Sequence, residues 1–222
     1  MKRFIIIVAI LASMALWIAL AHAEPSPKVL LIPREGSSGD IELMLTKEVG
    51  VMVAMLEKAG FEVVVATALG VPIAARTTTL RPDLKLADVK VADYVGFILA
   101  CKAVGLFPGP PQPAEAVAIV KQAVAQGKPV AAQLGAVCVL AEAGVLKGKR
   151  YAYLEDPLTT TRGHGKDIRF TGAIYSGYGV VQDGNIITSG VCPMITAIAG
   201  LPDGTVKLSN ALVAELKSKK AK

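Results

Sequence analysis

Residues 128–149, Lys-Pro-Val-Ala-Ala-Gln-Leu-Gly-Ala-Val-Cys-Val-Leu-Ala-Glu-Ala-Gly-Val-Leu-Lys-Gly-Lys, constrain the fold more than any other stretch. Residues 129–133 read as a short buried strand. Residues 135–143 read as a small apolar helix, which Gly144 stops because glycine tolerates the left-handed turn of a helix C-terminus. A strand that turns this sharply into a helix presents one residue at the top of a sheet, over a helix N-terminus. In enzymes that geometry holds a nucleophile. The residue at the turn here is Leu134, followed by Gly135.

The beginning of the chain has a different character. Lys2 and Arg3 precede an apolar run from Phe4 to Leu20, and Ala21-His22-Ala23 is a small-x-small cleavage pattern before a Pro-rich exit. Residues 1–23 therefore read as a secretory signal peptide, and residues 24–222 as one domain. The rival reading is an uncleaved membrane anchor, since the run approaches the roughly 18 residues of a span. Either way the remainder is expected outside the cytoplasm, periplasmic or secreted. Loss of Lys2 and Arg3 lowers the net charge from +6 to +4, and the remaining excess gathers in the tail at Lys217, Lys219, Lys220 and Lys222. With only 5% aromatic residues, the stacking surface of a nucleic-acid binder is missing, and no nucleic-acid partner is expected.

Apolar runs and helical periodicities alternate along the chain. A strand at 28–33 precedes a helix that Asp40 can cap and that runs to about residue 59, where Gly60 ends it. A second strand at 61–66 completes a β-α-β unit, with a right-handed crossover expected. Residues 72–86 read as loop or edge structure, 94–99 as a strand, and 114–126 as an amphipathic helix closed by Gly127. Strands are expected at 150–154 and 173–175 around a polar insertion at 159–166. A hairpin is expected at 179–188 with Asp183-Gly184 at its turn. Residues 191–200 fit helix or strand, and 209–217 form a last helix. Continuous rather than alternating apolar runs indicate a parallel sheet covered on both faces. The expected class is a three-layer α/β/α sandwich of the flavodoxin-like, doubly wound type. No phosphate-binding glycine motif follows a strand, so no nucleotide cofactor is expected.

Four stretches carry a resemblance to the ThiJ/PfpI family of the class I glutamine-amidotransferase-like superfamily. They are the first strand with Asp40-Ile-Glu-Leu, then Ala92-Asp-Tyr-Val-Gly-Phe-Ile-Leu-Ala-Cys-Lys102, the elbow with Leu140-Ala-Glu-Ala-Gly-Val-Leu-Lys-Gly148, and Val181-Gln-Asp-Gly-Asn-Ile-Ile-Thr-Ser189. The resemblance covers most of residues 28–190. It implies cysteine-dependent hydrolase, glyoxalase or deglycase activity, or a stress-related chaperone role. In its active members an elbow cysteine attacks a carbonyl, a first-helix glutamate holds the thiol, and glycine amides help form an oxyanion hole. On this pattern Glu42 matches the glutamate, Leu134 replaces the cysteine, Gly135 follows it, and Ala100, Cys101 and Lys102 replace Pro-Gly-Gly. The resemblance also implies a homodimer.

Three cysteines, Cys101, Cys138 and Cys192, are an odd number, so at least one thiol stays free or pairs between chains. Cys101, at a strand's C-terminal end beside Lys102, is the best surviving nucleophile. A bridge from Cys101 to Cys138 or Cys192 is one alternative, and three unrelated buried thiols is the other. His164 is the one histidine outside the first 23 residues and the candidate proton shuttle. Cys and His spacing supports no metal site. The expected function is therefore an exported binding or stress-related module, with a small-molecule ligand, that lacks the elbow cysteine's catalysis. The alternative is a hydrolase, glyoxalase-like or redox protein using Cys101 with Glu42 or His164.

Overall fold

Seven strands form one sheet in the order β10-β11-β7-β6-β1-β2-β5 in the computed structural model, which describes residues 25–35, 39–102, 111–161 and 165–220. The strands are β1 (Lys28–Ile32), β2 (Glu62–Thr67), β5 (Leu84–Lys85), β6 (Tyr94–Lys102), β7 (Val130–Leu134), β10 (Val180–Asp183) and β11 (Ile186–Ser189). Every neighbouring pair is parallel except β10 with β11. Two small sheets accompany it, an antiparallel pair of β3 (Ile73–Ala74) and β4 (Thr79–Leu80) and a parallel pair of β8 (Arg150–Tyr151) and β9 (Ile174–Tyr175). The expected mostly parallel, flavodoxin-like α/β class is the observed one.

Alternation along the buried strands decides which face each side chain serves. Leu30, Ile32, Phe97, Leu99, Val130 and Ala132 join one core with Ala116, Ile119, Val120 and Ala123 of helix α2 (Ala114–Ala125) and with Val137–Glu142, helix α3. Val29, Leu31, Ile98, Ala100 and Ala131 join the other, against helix α1 (residues 41–58) and helix α5 (Thr205–Lys220). A third, smaller cluster closes the carboxyl ends of the strands: Cys101, Leu134, Val191, Cys192 and Ile195.

Helix α1 is not uniform. It begins as Ile41–Leu43, widens to a π-helical segment at Met44–Val49, and continues as Gly50–Lys58. Asp40 makes no side-chain cap; its carboxylate pairs with the Arg34 guanidinium at 2.8 Å instead. Gly60, at φ 92°, ends the helix as expected. Residues 191–200, ambiguous by pattern, contain helix α4 (Pro193–Ala199), with Cys192 at its N-cap, proline in the first turn, and Gly200 at φ 67° as its stop. The hairpin turn is Gly184-Asn185, one residue later than expected, because Asp183 still pairs with Ile186. The signal-peptide reading of residues 1–23 falls outside the described residues, and so does His164. Among the described residues no helix is long and apolar enough to cross a membrane.

Candidate functional site

In this sheet β1 has β2 on one side and β6 on the other, and the chain reverses its direction of winding between β1 and β6. Sites in open α/β sheets form outside the carboxyl ends of the strands at such a point. The side chains that gather there are Glu48, Cys101 and Cys192. One carboxylate oxygen and the two sulfurs all lie within 4.8 Å of one another. All three residues are buried, at 1%, 3% and 1% exposure.

Each arrives by a different local device. Cys101 stands near the end of β6, where the register against β7 shifts between Leu99 and Lys102. The shift takes Cys101 out of the two face cores and into the end cluster. Its thiol donates to the Lys102 carbonyl at 3.0 Å, and its backbone N–H donates to a Glu48 carboxylate oxygen at 2.5 Å. Glu48 comes from the π-helical segment of α1. The wider turn is a feature often met at functional positions, and here it carries a carboxyl group on the buried side of the helix. Cys192 occupies the N-cap of α4, the place that serine, threonine or aspartate usually fills. Its side chain makes no cap hydrogen bond, but the Met194 and Ile195 amides of the helix start favour its thiolate.

These surroundings move the three titrations in different directions. The Cys192 thiol is pulled down to about 7, first by the hydrogen bond from Cys101 and then, against the cost of burial, by the two helix amides. The Cys101 thiol moves well up, because of its interaction with the Cys192 sulfur and because it is buried. Burial, reinforced by the nearby Cys192 sulfur, pushes Glu48 well above the usual carboxylate range, so its carboxyl group tends to keep its proton. Of the three, Cys192 is thus the most readily ionised, while Cys101 and Glu48 are biased toward their protonated forms.

The elbow supplies the floor. Leu134 has φ 46°, the only positive φ of a non-glycine residue among the described residues, and it is fully buried against Cys101 and Cys192. The strained backbone of a nucleophile elbow is therefore present with an apolar side chain on it. Gly135 is required: a Cβ there would lie 2.2 Å from the Lys102 carbonyl oxygen. Its backbone N–H favours the ionised form of the Cys101 thiol. Gln133, just before the turn, donates to the Val191 carbonyl at 2.8 Å and to Thr205 at 2.9 Å, and so fixes the loop that carries Cys192. Gly190 admits the close approach of that loop to Tyr153, whose carbonyl carbon would sit 2.5 Å from an added Cβ.

The other sequence candidates lie elsewhere. Glu42 is half-buried and faces the β3–β4 hairpin, where it accepts bonds from the Thr77 amide, at 3.0 Å, and from the Thr77 hydroxyl. That hydroxyl bond holds its carboxyl group below the usual range. Glu42 thus fastens the hairpin to α1, and the carboxyl group beside Cys101 is Glu48, not Glu42. Sequence reasoning missed Glu48 although a signal existed: it interrupts the apolar stripe Met44, Leu45, Val49, Met52 at a position that must face inward. Cys138 belongs to the core on the α2 and α3 face, with its sulfur 3.4 Å from the Tyr153 hydroxyl. All three cysteines are free thiols. Lys102 does not serve Cys101; its ammonium donates to the Pro33 carbonyl at 3.1 Å.

Comparison with known proteins bears on this geometry. The profile of the DJ-1/PfpI family matches residues 40–199. An uncharacterised protein of Archaeoglobus fulgidus is 35% identical over 167 residues, which are 72% of this chain and 87% of that protein. Among solved structures, a ThiJ/PfpI domain protein from Brachyspira murdochii superposes with a TM-score of 0.64 at 17% identity, over 88% of this chain and 99% of that one. DJ-1beta of Drosophila melanogaster superposes with a TM-score of 0.59 at 22% identity, over 86% of this chain and 91% of that one. At these identities the structural likeness speaks for the fold.

Proposed function

The chain belongs to the DJ-1/PfpI family, and from that premise we propose that it is a thiol redox module whose reactive pair, Cys192 and Cys101, takes the place of an elbow cysteine. The observation that carries this reading is the convergence of two free thiols and one carboxyl group at the carboxyl end of the sheet. Leu134 supports it by removing the alternative nucleophile from the elbow. Burial of the pair selects a small oxidant, a hydroperoxide, over a protein disulfide.

The chemistry follows from the positions. The Cys192 thiolate attacks one peroxide oxygen and the O–O bond breaks, leaving Cys192 as a sulfenic acid. Glu48 gives its proton to the departing hydroxide, which leaves as water. The Cys101 thiol then passes its proton to Glu48 and attacks the Cys192 sulfur. A disulfide forms, and the sulfenic hydroxyl leaves as a second water with the proton that Glu48 held. Glu48 regains one proton from solvent, the equivalent of the one Cys192 had released. Two thiols become one disulfide and one peroxide becomes two waters. A low-molecular-weight thiol returns the pair to its starting state.

Export belongs to the same proposal: the N-terminal pattern of residues 1–23 would deliver the dithiol to an oxidising compartment, where such pairs cycle. Homodimer formation is a further part of it, checked by sedimentation velocity. A second reading, a non-catalytic module that binds a small ligand or responds to stress, is favoured by the burial of all three side chains. One experiment separates the two. The reduced protein is treated with stoichiometric hydrogen peroxide and digested for mass spectrometry. A Cys101–Cys192 disulfide, absent in Cys192→Ser, is the expected result. Oxidation of neither residue, or an unchanged peroxide consumption in Cys192→Ser, overturns the redox reading.

A further inference from the structure

We propose that the reduced form of the same corner is a zinc site in which Cys101 and Cys192 supply sulfur and Glu48 supplies oxygen. The proposal stands on geometry. Donor atoms from three separate elements, β6, the N-cap of α4 and the π-segment of α1, lie mutually within 4.8 Å. A tetrahedral zinc ion with bonds of about 2.3 Å to sulfur and 2.0–2.2 Å to oxygen needs donor separations of about 3.4–3.8 Å, so small rotations of the side chains suffice. The donor set is selective. Zinc is borderline in softness and accepts thiolate and carboxylate together, whereas calcium and magnesium demand oxygen alone. Two thiolates neutralise the dication, which removes the main obstacle to placing it in an interior.

The supporting shell is built as metal sites need it. The backbone N–H of Cys101 holds the Glu48 carboxylate at 2.5 Å, Gln133 pins the Val191 carbonyl beside Cys192, and Leu134 and Ile195 wall the site with apolar surface. Three protein donors are the number found in zinc sites that leave a fourth position to water or substrate. No spacing motif announces this set, because its members lie far apart in the sequence and only the doubly wound topology brings them together. Binding displaces the protons that Cys101, Cys192 and Glu48 still hold, so zinc and peroxide compete for the same sulfurs, and zinc occupancy would protect the pair from oxidation.

The test loads the fully reduced protein with one equivalent of zinc and reads X-ray absorption fine structure. The expected shell is two sulfur scatterers at about 2.3 Å and light scatterers at about 2.0 Å. Cobalt in place of zinc is expected to give a thiolate-to-metal charge-transfer band that Cys101→Ser and Cys192→Ser each abolish, that Cys138→Ser retains, and that Glu48→Gln retains with affinity weakened by at least about tenfold. A wild-type zinc shell with no sulfur or one sulfur overturns the proposal without any variant having to fold. So does a cobalt band unchanged in folded Cys101→Ser or Cys192→Ser. Zinc binding without disulfide formation under peroxide would sink the redox reading alone, and the reverse pattern would sink the zinc site alone.

Discussion

Two buried thiols in separate clusters of the core show how little burial by itself says about a cysteine. Cys138 and Cys192 are both closed off from solvent, at 6% and 1% exposure. Cys138 sits in the first turn of α3, packed in the face core, and its sulfur has the Tyr153 phenol as its hydrogen-bonding neighbour. Burial therefore pushes its thiol up. Cys192 sits at a helix start, where amides have no carbonyl to bond, with a second thiol alongside. The same apolar enclosure still penalises charge there, but the second thiol and the amides of the helix start outweigh it.

The surroundings of the two thiols differ in purpose as well. Next to Cys138, Arg169 grips Asp167 through two bonds of 2.8 and 2.6 Å and reaches Glu142 at 2.8 Å. Asp167 is 1% exposed, and its carboxylate also receives the Arg169 amide. This is a clamp between α3 and the segment before β9, packed under the Tyr151, Tyr153 and Phe170 rings. Nothing in it needs to react. Around Cys192, by contrast, a second thiol and a buried carboxyl group gather within 4.8 Å of its sulfur.

The sharpest separation of the two regions is in stability. Arg169→Ala is expected to cost about 3–5 kcal/mol in urea unfolding, because it leaves a buried carboxylate without its cation. It is expected to leave the Cys192 titration in place. A loss below about 1 kcal/mol would mean that the clamp is ornamental and that the comparison is drawn too strongly.

Reactivity comes next. At pH 7 a thiol titrating at about 7 is half ionised, while one above 9 is about 1% ionised or less. Peroxide oxidation is thus expected to be about fiftyfold or more faster at Cys192 than at Cys138. The sign is fixed by the thiolate being the reactive form: the Cys192 rate climbs with pH through about 7 and then levels off. Cys101→Ala removes the largest cause of the shift, so the midpoint is expected to move up toward the ordinary thiol value of 9.0. A midpoint that stays near 7 in Cys101→Ala would assign the shift to the helix amides alone.

The smallest expected effect is the difference between two substitutions at the elbow below the reactive corner. Leu134→Ala is expected to lose about 2–5 kcal/mol, as buried leucine truncations do. Leu134→Gly loses the same packing but sheds the left-handed backbone cost of about 1–2 kcal/mol. Glycine is therefore expected to be the less damaging of the two, the reverse of its usual order relative to alanine. Equal losses in thermal unfolding would show that φ 46° at this residue stores no energy.

Much of this was legible before any coordinates. The elbow stretch gave strand, turn and helix within about two residues. Its actual bounds are Val130–Leu134 and Val137–Glu142, because the turn needs Gly135 and Ala136 for the crossing of β6. Cys101 and Cys192 could be suspected of meeting at one end of the sheet. Glu42 drew attention because it stood in the motif position, whereas Glu48 lay within an apolar stripe and was passed over. Whether residues 191–200 form helix or strand was open, since a seven-residue segment gives too few turns for its period to show.

The sequence by itself determined the layered α/β architecture and left the elbow without a nucleophile. Those properties live in local pattern: apolar runs, glycine stops and the identity of residue 134. Only the tertiary structure decided which carboxyl group and which thiols share a corner. That choice depends on the register shift at the end of β6, the π-turn in α1 and the N-cap of α4, each a matter of ångströms. Hydrogen bonds and burial act on sulfur over those distances, and no linear spacing records them.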